Sequence, residues 1–259
     1  MRVRTLGAGD PEVVVAGAVH GDEPCGATAI ERFVEHHREE VRRPVKLIVV
    51  NEPALRRGVR YVDTDVNRAL PGDPTAEAYE RRLAHDFFQA VAGTTGLGIH
   101  STVSDDRPFG AVSNLDARKR AAFEAMAPVE HVMDTTAVSN GRRCVDLPWF
   151  VDIEAGEQGT DAAATQAYDC VVDFLRWADV LPGEPEPTAT TVYDVFDTVE
   201  KEPGAEYRFL GENFRRVEQG EVYATRDGAE LVAERPFWPM LMSGDGHERL
   251  LGYRGTRRG

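Results

Sequence analysis

Apolar runs and apolar residues at helical spacing alternate along the first two thirds of the chain. Residues 12–19 form a short run of mostly valine, alanine and glycine, which predicts a strand buried on both faces. Residues 25–41 carry apolar side chains at helical spacing and predict a helix. The same two patterns predict a strand at 46–50, a helix at 75–91 that stops at the glycines of 93–98, a strand ending near His100 and a helix at 162–180.

Strands that alternate with helices in this way predict an α/β fold with a mixed sheet flanked by helices. Ligand sites in such sheets lie at the carboxyl ends of the strands. Residues 182–191 are rich in proline, glutamate and threonine and predict a linker. Short β-prone runs separated by turn residues follow it, so we expect a first domain over 1–181 and a small β-rich domain over 192–259.

Composition and charge exclude several classes of function. The chain has 44 acidic and 30 basic residues, a formal net charge of -14, which repels nucleic acid and anionic lipid. Its apolar runs are shorter than the roughly 20 residues of a membrane-spanning helix. Residues 1–10 show no secretory signal and the three cysteines are widely separated, so we expect free thiols and a cytoplasmic protein. Only three lysines stand against 44 acidic residues, a balance that favours a halophilic protein over an ordinary acidic one.

Two polar side chains with metal-binding chemistry follow the first predicted strand. His20 and Glu23 stand three residues apart in a glycine-containing loop, although His-x-x-Glu alone is common by chance. A catalytic zinc ion takes three protein ligands and leaves one position for water, and two histidines with one glutamate are a recognised set. His100, at the end of a later strand, supplies the third. Such an ion activates water and polarises a carbonyl, which indicates a hydrolase.

Four segments of the chain, taken in order, resemble the succinylglutamate desuccinylase and aspartoacylase family of the zinc carboxypeptidase-like superfamily. The most diagnostic is 60–72, in which Asp-x-Asn-Arg is followed by Pro-Gly. The others are 17–23 around the first two candidate ligands, Ile-His-Ser-Thr at 99–102 and Ile-Glu-Ala-Gly-Glu-Gln-Gly at 153–159. Residues 213–239 resemble the family's β-rich carboxyl-terminal domain, so the likeness covers nearly the whole chain.

The resemblance implies one Zn²⁺ per chain, held by His20, Glu23 and His100. It makes Glu154 the general base, which takes a proton from the zinc-bound water and returns it to the leaving amine. Glu157 is a rival for this role because it lies in the same acidic stretch. The order Ile-Glu-x-Gly favours Glu154.

Three residues of the 60–72 segment match family positions that contact substrate. Arg60 matches the residue that polarises the scissile carbonyl and stabilises the tetrahedral oxyanion. Asn67 and Arg68 match the pair that grips a substrate carboxylate. The resemblance therefore implies a small anionic N-acyl amino acid as substrate.

The sequence departs from the family pattern at three places. Gly98 stands two residues before the third ligand, where the family often has an acidic residue that orients the histidine, so another group has to take that role. A substrate-binding arginine expected shortly before the general base falls on Cys144, and we assign it to Arg143 rather than Arg142. A family tyrosine that contacts substrate falls near His247, which we include among the substrate-binding residues.

The sequence thus predicts a zinc-dependent amidohydrolase that cleaves the amide of a small N-acylated amino acid, a carbon–nitrogen bond other than a peptide bond. Two alternatives stay open. A zinc carboxypeptidase acting on short peptides would use the same metal chemistry with a different pocket. A catalytically silent zinc protein would bind acylated metabolites without turnover. The acyl group is open, and so is assembly into a homo-oligomer.

Overall fold

Thirteen β-strands and five α-helices form the protein, and the computed structural model describes residues 1–259. The strands are β1 (Arg2–Leu6), β2 (Val13–Gly17), β3 (Val45–Val49), β4 (Thr95–Thr102), β5 (Phe109–Val112), β6 (His131–Asp134), β7 (Phe150–Glu157), β8 (Thr191–Glu200), β9 (Tyr207–Phe209), β10 (Val222–Arg226), β11 (Ala229–Val232), β12 (Trp238–Met240) and β13 (Leu250–Arg257). The helices are α1 (Cys25–His37), α2 (Glu52–Arg57), α3 (Tyr79–Val91), α4 (Ala117–Ala125) and α5 (Asp161–Trp177).

Ten of the strands form one mixed sheet in the order β1-β3-β2-β4-β7-β5-β6-β8-β13-β12. The neighbours β3, β2, β4 and β7 run parallel, as do β5, β6 and β8. The pairs β1/β3, β5/β7, β8/β13 and β12/β13 are antiparallel. The predicted mixed sheet flanked by helices is therefore confirmed.

Strand β2 is buried on both faces, as its uninterrupted apolar sequence predicts. Side chains alternate across a strand, so Val13 and Val15 enter a core formed with α1 and α5, whereas Val14 and Ala16 enter a second core formed with α3. Helices thus cover both faces of the central sheet, and the strand ends are left for ligands.

Helix α1 approaches the end of β2 so closely that neither backbone has room for a side chain. A Cβ atom on Gly26 would lie 2.8 Å from the Cα of Gly17, and one on Gly17 would lie 2.5 Å from the carbonyl carbon of Gly26. Glycine at both positions permits this contact. It fixes the loop 18–24, which carries the first two candidate ligands.

The region after the linker is divided between two sheets. Strands β9, β10 and β11 form a small antiparallel sheet, which confirms the predicted small β-rich part. The other three strands extend the main sheet, because β8 pairs with β6 and β13 lies between β8 and β12. The main sheet therefore continues across 182–191, and the division of the chain into domains at this linker stays a prediction.

The glycines expected to stop the second helix lie partly inside a strand. Gly96 and Gly98 belong to β4, where they make room for the side chains of Phe150 and Asp152 on β7. The helix itself ends at Val91, just before these glycines, as predicted. None of the helices combines the length and apolar character that crossing a bilayer requires.

Candidate metal centre and active site

The candidate ligands lie at the carboxyl ends of two adjacent parallel strands. β2 and β4 pair with Gly17 opposite Ile99, so His100 and the loop that begins after Gly17 meet at one edge of the sheet. Ala18 has a φ of 53°, a left-handed conformation that is uncommon for a residue with a side chain. This turn directs the chain out of β2 towards His20.

His20, Glu23 and His100 converge on one point. Oε1 of Glu23 lies 2.7 Å from Nδ1 of His20, and Oε2 of Glu23 lies 2.9 Å from Nδ1 of His100. One ligand atom from each residue lies within 4.8 Å of the other two, and all three residues are buried. Two imidazole nitrogens and one carboxylate oxygen in this arrangement fit the ligand set of a catalytic zinc ion.

The charges of these three residues depend on one another. Burial alone disfavours the carboxylate of Glu23, but His20 and His100 outweigh burial and hold the pKa of Glu23 well below its usual value. Burial also disfavours the imidazolium forms, yet neighbouring side chains, Glu23 among them, raise the pKa of both histidines. Because a metal ion binds neutral imidazole, an incoming cation competes with protons at this site.

The second ring nitrogen of each histidine faces a carboxylate. Nε2 of His20 lies 3.1 Å from Oδ1 of Asp65, and Nε2 of His100 lies 3.8 Å from Oδ2 of Asp152. A carboxylate in this position favours the tautomer whose Nδ1 is free to bind a metal ion. Neither aspartate is predicted from the sequence. Asp65 begins the Asp-x-Asn-Arg motif, so the motif could have pointed to it. Asp152 is near His100 only through strand pairing.

Glu154 lies beside the ligands because β7 is the next strand of the sheet. It pairs in register with His100, and its side chain lines the same cleft. Burial raises the pKa of Glu154 to about 7, so its carboxyl group exchanges protons readily near neutral pH. The rival Glu157, at the end of β7, is exposed and lies outside this cleft. The geometry favours Glu154 as the general base.

The segment between α2 and α3 brings three more predicted residues to the cleft. Nη1 of Arg60 donates a hydrogen bond to Oε1 of Glu23 at 3.2 Å, which holds the guanidinium group beside the ligands. Nη1 of Arg68 donates to the carbonyl oxygen of Asn67 at 2.7 Å. The Asn67 side chain in turn accepts a hydrogen bond from the backbone N–H of Cys144 at 2.7 Å.

A buried glutamate that the sequence analysis missed holds this segment in place. Glu80 on α3 accepts hydrogen bonds from the backbone N–H groups of Val62, Asp63 and Thr64 at 2.6, 2.9 and 3.2 Å. It also accepts one from Nδ2 of Asn51 at 3.1 Å. Four donors compensate for the burial of one carboxylate. In the sequence, Glu80 is indistinguishable from the other acidic residues of an amphipathic helix.

Arg143 and His247 line the same cleft from the second half of the chain. Arg143 is buried, with Nη1 3.5 Å from the hydroxyl of Tyr253 and Nη2 3.4 Å from Oγ1 of Thr135. Arg142 is exposed and lies outside the cleft. Burial, together with the positive charge of nearby arginines, lowers the pKa of His247. The structure therefore favours Arg143 over Arg142 as a ligand-facing residue.

All nine residues predicted from the sequence line this one cleft. The space between its walls, with the open mouth included, is about 910 Å³. The predicted residues are His20, Glu23, Arg60, Asn67, Arg68, His100, Arg143, Glu154 and His247.

Comparison with known proteins agrees with this arrangement. A sequence model of the succinylglutamate desuccinylase/aspartoacylase catalytic domain matches residues 9–168, more than half of the chain. The chain belongs to this family. The matched span holds the three candidate ligands and Glu154, so the desuccinylase/aspartoacylase resemblance of the four segments is confirmed.

Curated relatives in this family are deacylases and amidohydrolases. The succinylglutamate desuccinylase of Shewanella frigidimarina is 23% identical over 87% of this chain and 76% of its own length. The aspartoacylase of Xenopus tropicalis is 28% identical over 36% of this chain and 34% of its own length. The N-alpha-acetyl-L-2,4-diaminobutyric acid deacetylase of Halomonas elongata is 30% identical over 61% of this chain and 51% of its own length. The chain thus spans between a third and three quarters of these relatives.

Several solved structures share the fold over nearly the whole chain. A succinylglutamate desuccinylase/aspartoacylase from Rhodobacter sphaeroides has a TM-score of 0.77 at 22% identity and covers 99% of this chain and 88% of its own. The product-bound ectoine utilization protein of Ruegeria pomeroyi has a TM-score of 0.80 at 20% identity, with the same coverage. Murine aminoacylase 3 has a TM-score of 0.77 at 15% identity and covers 97% of each chain.

Proposed function

We propose that the protein is a zinc-dependent hydrolase that cleaves the amide bond of a small N-acylated amino acid or a related compound. The observation that carries the proposal is the convergence of His20, Glu23 and His100 on one point, with the carboxyl group of Glu154 in the same cleft. The names of three relatives, a desuccinylase, an aspartoacylase and a deacetylase, support cleavage of this type of bond.

Each residue around the ligands has a role in this reaction. When bound, zinc supplies a Lewis acid that polarises the scissile carbonyl and makes water more acidic. Glu154 takes a proton from the attacking water and returns it to the leaving amine nitrogen. Arg60 donates hydrogen bonds to the carbonyl oxygen as negative charge develops there. Because its guanidinium already lies next to Glu23, Arg60 is held in position before substrate binds.

The charges of the cleft favour an anionic substrate. Arg60, Arg68 and Arg143 all line it, although the whole chain has a net charge of -14. With Zn²⁺ bound, the cation and these guanidinium groups would outweigh the lining carboxylates of Glu23, Asp152 and Glu154 and attract an anionic substrate through an otherwise repulsive field. Arg68 and the amide of Asn67 are adjacent, and together they offer the parallel donors that a carboxylate accepts.

The test begins with the metal. Chelation should abolish hydrolysis of N-acyl amino acids, and added zinc should restore it. Glu154→Gln should retain zinc but lose turnover by about 10²- to 10⁴-fold, because the proton transfer is lost while the ligands stay intact. Full metal content without turnover of any acyl amino acid would favour a silent zinc protein. Faster hydrolysis of dipeptides than of N-acetyl amino acids would favour a carboxypeptidase.

A further inference from the structure

Asp152 is a buried carboxylate without a hydrogen-bond partner. Its side chain on β7 is 2% exposed, and neither Oδ1 nor Oδ2 accepts a hydrogen bond. Nε2 of His100 is also buried without a partner and lies 3.8 Å from Oδ2 of Asp152. An unpaired buried carboxylate destabilises a folded protein, so its retention beside an unpaired imidazole nitrogen needs a physical reason.

The sheet makes room for this carboxylate at Gly98. Gly98 and Asp152 are opposite each other on β4 and β7, and His100 and Glu154 form the next outward pair on the same face. A Cβ atom on Gly98 would lie 2.0 Å from Oδ1 of Asp152. The carboxylate therefore occupies the space of the side chain that Gly98 lacks, and it reaches His100 from the neighbouring strand.

We propose that Asp152 is a positioning residue that accepts the Nε2 hydrogen of His100 and so presents Nδ1 of that ring to the metal ion. Asp65 likewise lies 3.1 Å from Nε2 of His20, although Nη2 of Arg60 also contacts that nitrogen at 2.9 Å. The 3.8 Å separation at His100 becomes a hydrogen bond after a movement of about 0.7 Å. The inference rests on the proposed metal site and adds one residue that sets the strength of metal binding.

Cys144 is the rival partner for His100. Its Sγ atom forms a cluster with His100 and Asp152 in which the potential ligand atoms lie within 4.8 Å of one another. A thiol is a weak acceptor and carries no negative charge. A carboxylate is a common partner for the distal nitrogen of a metal-binding histidine and increases its basicity. Substitution of each residue separates the two assignments.

The experiment measures the dissociation constant for zinc by competition with a chromophoric chelator, so no substrate is needed. Asp152→Asn is nearly isosteric and should weaken zinc binding roughly 10- to 100-fold. Cys144→Ala should bind zinc as the wild type does. Asp134→Asn is the matched control, because it removes another buried carboxylate. That carboxylate is on β6 and accepts hydrogen bonds from Thr136 and Arg258. Thermal unfolding of the metal-free proteins establishes that each variant is folded.

A second variant tests whether zinc affinity depends on the carboxylate itself, whichever strand carries it. Gly98→Asp combined with Asp152→Gly moves the carboxylate to β4 and should recover most of the zinc affinity that Asp152→Asn loses. Wild-type affinity in Asp152→Asn would overturn the proposal, and so would a folded double variant that binds no better than Asp152→Asn. A wild-type protein that binds zinc but hydrolyses no acyl amino acid would refute the proposed function and leave this inference standing.

Discussion

The side-chain oxygen of Asn67 accepts a hydrogen bond from the backbone N–H of Cys144 at 2.7 Å. This bond occupies the acceptor of the amide and leaves its two N–H donors for a ligand. It also ties the 60–72 segment to the turn that carries Arg143. Asn67 therefore joins two parts of the cleft wall while offering hydrogen bonds to a carboxylate.

Asn67→Asp should separate these two contributions. The variant keeps an acceptor for the Cys144 N–H but replaces the donors with a negative charge. We expect KM for an N-acyl amino acid to rise at least about tenfold, the cost of losing a hydrogen bond to a charged group, with little change in thermal stability. Asn67→Ala should both raise KM and lower thermal stability. An unchanged KM in Asn67→Asp would show that the amide does not contact the substrate.

Arg68→Ala should discriminate between charged and neutral substrates. We expect KM to rise far more for a substrate with a free carboxylate than for its carboxamide analogue, because only the former pairs with a guanidinium group. Steady-state kinetics on the two substrates measures this difference. Arg142→Ala is the matched control, since Arg142 is exposed and lies outside the cleft. Equal effects of Arg68→Ala on both substrates would exclude a carboxylate contact.

The rate should fall on the acid side of neutrality. A general base acts in its ionised form, so activity is lost as pH falls through the pKa of Glu154. Burial raises that pKa to about 7, and a bound cation opposes the rise, so the acid limb of kcat/KM should lie at or below pH 7. The profile is measured with zinc content checked at each pH, because protons also compete for His20 and His100. If the residual activity of Glu154→Gln falls over the same acid pH range, the acid limb belongs to another group.

The contact between α1 and β2 predicts a loss of stability on a small substitution. Gly26→Ala gains up to about 1 kcal/mol of helix propensity, but overpacking against the Gly17 backbone costs roughly 1–3 kcal/mol. We therefore expect net destabilisation by up to about 2 kcal/mol, measured by denaturant unfolding. Thr28→Ala on the same helix should change stability far less. A Gly26→Ala protein as stable as the wild type would show that the backbones separate at little cost.

The excess of acidic residues predicts stabilisation by salt. With a net charge of -14, repulsion among surface carboxylates opposes the folded state, and molar potassium chloride screens it. The thermal unfolding midpoint should therefore rise between low and molar salt. Salt also weakens exposed ion pairs such as Arg43–Glu12, but each of these contributes little. An unfolding midpoint independent of salt would contradict the halophilic prediction.

The convergence of the candidate ligands was predictable because they follow apolar runs that become adjacent parallel strands. His20 comes three residues after Gly17, and β2 pairs directly with β4, so strand ends alone bring His20 and His100 together. The position of Asp152 could not be predicted in this way, because its place beside His100 depends on strand order and register. The orienting group required by Gly98 was anticipated, but the residue that the geometry points to was not.

Long-range pairing also explains why the sequence does not show which sheet each strand of the tail joins. Short β-prone runs after the linker indicate strands, and local patterns do not show which sheet each strand joins. β8 and β13 are part of the main sheet, whereas β10 and β11 pair in the small one. The partner that joins β8 to the main sheet is β6, more than fifty residues earlier, and only the packed structure reveals that relationship.

The two halves of the main sheet contribute different residues to the cleft. The residues proposed to act on the scissile bond come from β4, β7 and the segments after β2 and α2. Met133 on β6 and Leu250 and Tyr253 on β13 line the cleft from the far half of the sheet. Substitutions in that half reshape the space that a ligand meets without moving the imidazoles. A lineage with this architecture can therefore acquire new specificities while its reaction centre stays constant.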